Sequence, residues 1–417
     1  MEQKIYNEYV EILKEELLPA MGCTEPIAVA YAAAVAVQAL GEKPESVEVN
    51  VSANIIKNVK SVVVPCTGGL RGIGAAVCAG IVAGCPEKEL EILEEITGEQ
   101  KVEMKKMLDT MPMTIRESDK EYIFDIQIKA CAGGHSGYVE IAGFHTNVIC
   151  VKKDDEIIRE KAYEEQGSSC ATDRSLLTVE KIIEFADCVD VADVEEVLQR
   201  QIDYNWAIAE EGMTGNWGAA IGKTLMEAYG NSVHNRAKAM AAAGSDARMN
   251  GCELPVVINS GSGNQGMTTS LPVIVYAKEL NVSKEMMLRA LVVSNLITIH
   301  MKTGIGRLSA YCGAISAGCG AGAGICYLYG GRAYEISHVI VNAVAINSGV
   351  VCDGAKASCA AKIASAVEAG LLGLQMQKNG KQFYGGDGLV EKGVENTIRN
   401  IGELAKKGMR ETDKTII

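Results

Sequence analysis

Residues 308–330 read LSAYCGAISAGCGAGAGICYLYG, an uncharged stretch long enough to cross a bilayer yet built mostly from Gly, Ala and Cys. A lipid-facing helix of about 20 residues would carry large apolar side chains along its length. Small residues instead let helix backbones approach closely, so this stretch predicts a buried helix packed among others in a non-membrane domain. Residues 26–40 are also apolar but fall short of the roughly 20 residues a span requires, and they predict a second buried helix.

Outward from that run, nearly every segment from residue 175 to 407 has helical character, interrupted by Gly-rich loops. The preceding region differs. Apolar and polar residues alternate at 47–51, 61–65, 122–128 and 138–141, which predicts strands, with helices at 72–84, 87–96 and 99–108 between them. Ahead of both lie helices over 4–18 and 26–40, the second capped by Thr24 with Pro26 in its first turn. The expected fold class is therefore α+β. N-terminal helices at 1–43 pack on the larger domain, a smaller mixed α+β domain occupies 44–173, and a larger all-α domain with Gly/Ala-rich helices occupies 174–417.

At 417 residues the chain exceeds one ordinary hydrophobic core. Apolar residues make up 48% and charged residues 22%, enough to fill large cores and to argue against disorder. A net charge of -13 repels phosphate backbones and anionic lipid surfaces, and no basic patch offsets it. Nucleic acid and membranes are thus not expected partners; a small molecule is, and the sequence leaves a homo-oligomer open. Fourteen cysteines with no legible signal peptide point to the cytoplasm and to free thiols rather than a disulfide scaffold.

Spacing sorts those cysteines. On a single helix Cys312, Cys319 and Cys326 share one face, but successive members stand about 10 Å apart at 1.5 Å rise per residue, too far for one small centre to take two of them easily. Cys352 and Cys359 are different: Asp353-Gly354 is a turn signal and Ser358 a helix cap, so a loop can bring the two thiols together. The absence of any CxxC argues against zinc ribbons and thioredoxin-type redox sites. What remains is a composite site, one cysteine from 308–326 with Cys352 and Cys359. Three thiolates on a 4Fe-4S cluster would leave one iron without a protein ligand, open to act as a Lewis acid. Free cysteine otherwise behaves as a small buried hydrophobe, and packing is the reading for Cys66, Cys78, Cys85, Cys131, Cys150, Cys170, Cys188 and Cys252.

Four motifs occur in order: Gly22-Cys23-Thr24-Glu25-Pro26, NSGSGNQG at 259–266, GRLSAYCG at 306–313 and CDGAK at 352–356. Together they resemble the L-cysteine desulfidase family, a relative of the iron-sulfur L-serine dehydratases, over essentially the whole chain. The resemblance implies an oxygen-sensitive 4Fe-4S cluster and no pyridoxal phosphate. It implies α,β-elimination on L-cysteine to hydrogen sulfide, ammonia and pyruvate, with L-serine as the alternative substrate. It places cluster ligands on Cys312, Cys352 and Cys359 and a catalytic cysteine on Cys23, where spacing alone does not choose Cys312 over Cys319 or Cys326. The 352–359 interval is shorter than its counterpart in the serine dehydratases, so their substrate preference does not carry over. A non-catalytic iron-sulfur protein is the other reading, and it would need a fourth cysteine ligand.

Such an elimination needs a base and a grip on the substrate. Cys23 as thiolate is the candidate base, with Glu25 as the alternative, although a carboxylate in a first helical turn also suits the helix dipole. Backbone amides at Asn264, Gln265 and Gly266, ahead of an apolar helix, suit a substrate carboxylate. Lys302 and Arg307 flank another glycine loop and can pair with the same group. His135, within Gly133-Gly134-His135-Ser136-Gly137, is the best-placed histidine because its loop permits close approach of a ligand. His145, His234, His300 and His338 show no ligand spacing and are read as structural.

Overall fold

The computed structural model describes residues 1–163, 172–306 and 308–416, and is 59% helical. Helix α1 (Gln3–Glu16) turns Tyr9, Ile12 and Leu13, at i, i+3 and i+4, into the large helical core, where Tyr6 and Tyr9 meet Phe185 edge-on. Strand β1 (Pro19–Met21) leads into α2 (Thr24–Leu40), which packs into a second core built on the sheet. The two N-terminal helices thus part company, one in each core. Cys23 rather than Thr24 holds the cap position of α2; Thr24 is its first helical residue, and its hydroxyl donates to the Gly261 carbonyl at 3.1 Å.

Around α2 the chain lays down β2 (Ser46–Val51), α3 (Ala53–Val59), α4 (Gly72–Ala83) and α5 (Gly98–Thr110), the last opened by a capping box between Thr97 and Gln100. Strands β3 (Met113–Glu117), β4 (Asp125–Ala132), β5 (His135–Ala142), β6 (Val148–Lys153) and β7 (Glu156–Glu160) complete a six-stranded sheet ordered β3-β2-β4-β5-β6-β7. Only the β2–β3 pair is parallel. Alternate residues Val47, Val49 and Val51 of β2 are buried, as the period-2 pattern requires.

Two expected elements fail here. Residues 61–65 form no strand: Val62 and Val64 are buried in different clusters and the segment makes only the isolated bridge Val63–Arg71. Residues 87–96 yield only a 3-10 turn over Pro86–Glu91, broken at Glu89 by a positive φ of 45°. Conversely, β3, β6, β7 and α3 carry no strong sequence signal; β7 is exposed along its whole length, so no apolar face marks it.

Among the described residues that follow, the regular elements are helices apart from β8: α6 (Val179–Cys188), α7 (Glu195–Thr214), α8 (Ile221–Tyr229), α9 (Val233–Met249), β8 (Pro255–Val257), α10 (Gly263–Glu279), α11 (Lys284–Ile305), α12 (Gly313–Leu328), α13 (Ala333–Ile346), α14 (Cys359–Lys378), α15 (Val394–Glu403) and α16 (Arg410–Ile416). Strand β8 pairs antiparallel with β1 and ties the N-terminal segment to this body. The Gly/Ala/Cys run is α12, buried from Ala314 to Tyr327 and surrounded by α10, α11, α13 and α14. Its small residues are required: a methyl group on Gly318 would stand 2.3 Å from the Ala366 carbonyl of α14. Among the described residues no helix is long and apolar enough to cross a membrane.

Candidate functional site

The expected single helix over 308–326 does not form, and the difference places the thiols. Helix α12 starts at Gly313, with Cys312 at its cap position. Tyr311 and Val351 form an antiparallel bridge, Cys312 N donates to Val350 O at 3.1 Å and Cys352 N to Ala310 O at 2.7 Å. This short ladder brings Cys312 and Cys352 side by side. Cys359 opens α14, and its thiol donates to the Gly354 carbonyl at 3.6 Å. Ser358 does hold the cap position, without a side-chain hydrogen bond. Cys319 and Cys326 are buried within α12, away from the cavity.

The 352–359 loop is pinned in several ways. Gly354 has φ 103° and lies so close to the Lys57 carbonyl that a Cβ would stand 2.4 Å from it, so only glycine fits. Asp353 pairs with Lys356 and Lys362, which hold its carboxyl far below the usual range, and Lys362 also donates to Val351 O at 2.7 Å.

All three cysteines line one cavity of about 100 Å³, open at its mouth. Cys23, Glu25, Lys57, Asn58, Arg248, Ser262, Asn264, Gln265, Lys302 and Lys362 line it as well. Within the thiol pair, Cys312 is pushed up by its hydrogen bond to Cys352, whereas Cys352 is held down toward thiolate by that same bond, with the Lys57 charge and the Gly354 amide assisting. Burial pushes the Cys359 thiol up. Opposite charge near a thiol favours its ionised, ligating form.

At the start of α2, the Cys23 thiol donates to Glu25 Oε2 at 3.1 Å, and Asn58 Nδ2 donates to Glu25 Oε1 at 3.0 Å. Burial, and then the neighbouring Glu25 charge, push Cys23 well up, so its sulfur carries the proton in this arrangement. Burial alone would raise Glu25, but His145 and the Cys23 thiol outweigh it and keep the carboxyl low. Gly22 makes the turn into this pair with φ 55°, its hydrogen against the Pro65 ring where a Cβ would fall 2.1 Å from Cγ.

Other expected site residues are scattered. Asn264 and Gln265, in the first turn of α10, reach the cavity; Gly266 does not, its amide donating to Ser262 O at 3.0 Å and its Cα packed on the Val257 carbonyl. Lys302 lines the cavity from the last turn of α11. His135 opens β5 at the sheet surface, 62% exposed and paired with Asp154 at 3.0 Å, and is not part of the cavity. Arg307 and Cys170 lie outside the described residues. Of the cysteines assigned to packing, Cys66, Cys78, Cys150 and Cys252 are buried, but Cys85 and Cys188 are exposed. Sequence reading missed Lys57, Asn58, Arg248 and Lys362, which look like ordinary polar residues in their segments. It also missed His145, whose charge acts on Glu25.

Among the described residues no three His, Cys, Asp or Glu side chains are arranged to hold a single metal ion. A 4Fe-4S cluster makes a different demand, since each thiolate binds its own iron and the sulfurs surround the group. Three thiols around one cavity, one of them held toward thiolate beside Lys57, fit that demand in kind.

A buried carboxylate, three thiols and several cations share one cavity in an α+β protein with a dominant helical body. The chain belongs to the serine dehydratase alpha-chain family, whose model matches residues 87–417. That is a lyase-type family, iron-sulfur-dependent in general. The chain is also 59% identical to a UPF0597 protein of Desulfitobacterium hafniense (strain Y51), over 100% of this chain and 97% of that protein. A UPF0597 protein of Lachnoclostridium phytofermentans is 50% identical over 99% of each chain, and one of Treponema denticola 43% identical over 100% of this chain and 98% of that protein.

Proposed function

We propose that this protein is a lyase catalysing α,β-elimination on L-cysteine, giving hydrogen sulfide, ammonia and pyruvate, with L-serine as the alternative substrate. The observation that carries the reading is the convergence of Cys312, Cys352 and Cys359 on the same cavity as the Cys23–Glu25 pair. Cys312, Cys352 and Cys359 would hold a 4Fe-4S cluster, which when bound supplies a Lewis-acidic iron for the departing β-substituent.

The chain's own residues supply the remaining chemistry. Removing the α-proton needs a base within reach of the ligand. Cys23 carries its proton at rest and donates it to Glu25, so the two would act as one base, the thiol proton passing to the Glu25 carboxylate as the sulfur takes up the α-proton. Asn58 and Thr24 fix the Glu25 carboxylate by hydrogen bonds at 3.0 and 3.1 Å, so that it faces the sulfur. The cations Lys57, Lys302 and Lys362 around the cavity favour an anionic ligand and anionic thiolates.

Anaerobic reconstitution with iron and sulfide, followed by assay of sulfide and pyruvate from L-cysteine and of pyruvate from L-serine, tests the reading. Faster turnover of L-cysteine supports it; faster turnover of L-serine moves the assignment to a serine dehydratase. Cluster absorbance without turnover of either amino acid rejects the lyase reading and favours a non-catalytic iron-sulfur protein.

A further inference from the structure

Arg248, in the last turn of α9, is only 2% exposed yet lines the cavity. A buried guanidinium without a carboxylate partner is costly, because its desolvation is not repaid. Among the described residues Arg248 forms no ion pair. Its Nε donates to the Gly22 carbonyl at 2.8 Å and its Nη1 to Asn264 Oδ1 at 3.0 Å, both neutral acceptors. Glu25 lies within its electrostatic influence but directs its two oxygens to Cys23, Thr24 and Asn58.

The second pole of the site is the start of α10. Its cap residue Ser262 makes no side-chain hydrogen bond to the first turn, and Ser262, Asn264 and Gln265 all face the cavity. First-turn amides have no intrahelical acceptor, and the helix dipole adds positive potential there. The guanidinium lies directly against this turn: a Cβ on Gly263 would stand 2.5 Å from Arg248 Nε. Two positive poles are therefore pressed together at the wall of one cavity, and an anion between them would relieve both.

We propose that Arg248 and the first turn of α10 form the subsite that takes the α-carboxylate of the amino-acid ligand, Asn264 holding the guanidinium in register. The assignment rests on the lyase reading for the identity of the ligand, and its test is separable from it. L-Alanine has the amino and carboxylate groups of the substrate but no β-leaving group, and L-alaninamide has in addition lost the anion. Calorimetric titration of the reconstituted chain compares the two ligands against Arg248→Gln and Arg248→Lys, with thermal melts to establish folding.

Arg248→Gln is expected to weaken L-alanine by about 10- to 100-fold, the worth of a charge-assisted hydrogen bond, and to leave L-alaninamide unchanged. Arg248→Lys keeps the charge without the two-pronged fork and is expected to lose about tenfold; it provides the reading where Arg248→Gln does not fold. Equal losses for both ligands, no loss for either, or no binding of L-alanine to the unaltered chain would overturn the subsite. Arg248-dependent L-alanine binding in a chain that turns over neither cysteine nor serine would uphold the subsite and reject the elimination.

Discussion

At the scale of single residues, the paired arrangements matter more than any lone side chain. Cys352 sits beside a proton-bearing Cys312 and under the influence of Lys57, and it is the thiol of the three held toward the ligating form. Replacing Cys352 by Ala is expected to abolish both the visible absorbance of the reconstituted cluster and turnover, read by anaerobic spectra and pyruvate assay. Glu25→Gln removes the proton acceptor of Cys23 and is expected to lower kcat by about 100- to 10,000-fold, the usual worth of a general base. Because the Gln side chain can still accept a hydrogen bond from the thiol, the cluster spectrum and melting temperature should stay close to those of the parent. A kcat within twofold of the parent would remove Glu25 from the reaction.

At the scale of elements, the fold positions the thiols that line the cavity at ends and bends, not along helices. Cys23 and Cys312 cap α2 and α12, Cys359 opens α14, and Cys352 is set by the bridge at Val351. Gly354→Ala introduces a methyl group onto the Lys57 carbonyl at a left-handed φ, so melting should fall and the cluster should load incompletely, measured as iron per chain. The contact of α9 with α14 carries a pH signature. Glu368 on α14 accepts from His234 at 2.8 Å and pairs with Lys238 at 2.6 Å, which together hold its carboxyl down to about 2. A lowered carboxyl stabilises the fold above its ordinary value of 4.5 and ceases to as pH falls toward 2. The melting temperature of Glu368→Gln should therefore drop less steeply than that of the parent between those limits, and parallel curves would contradict the pairing.

At the scale of the whole molecule, two cores meet at the cavity, and a contact from the last helix helps to join them. Lys57, on α3 beside the sheet, has a side chain 1% exposed and pairs with Asp413 of α16, while the other Asp413 oxygen accepts from Ala310 N at 3.0 Å, two residues before Cys312. Asp413→Ala leaves the lysine charge buried without its carboxylate and is expected to cost about 3 kcal/mol in urea denaturation. Turnover should fall with it, because the segment bearing Cys312 loses an anchor; unchanged stability would mean that the pair is solvated in solution.

Composition and periodicity alone made the α+β class legible, because burial imposes a period of 2 on β2 and demands small residues along α12. They also singled out Cys352 and Cys359 through local turn and cap signals, whereas Cys23 was marked by the family resemblance. They could not select Cys312 over Cys319 and Cys326: that depended on α12 starting at Gly313, which tertiary pairing of Tyr311 with Val351 decides. Nor could they separate Arg248 from any other arginine, or keep His135 out of the site, because convergence of distant segments is set by packing and leaves no local pattern. Local physics wrote the elements into the chain, and only the docking of α9, α10 and the sheet around α2 decided which side chains share one space.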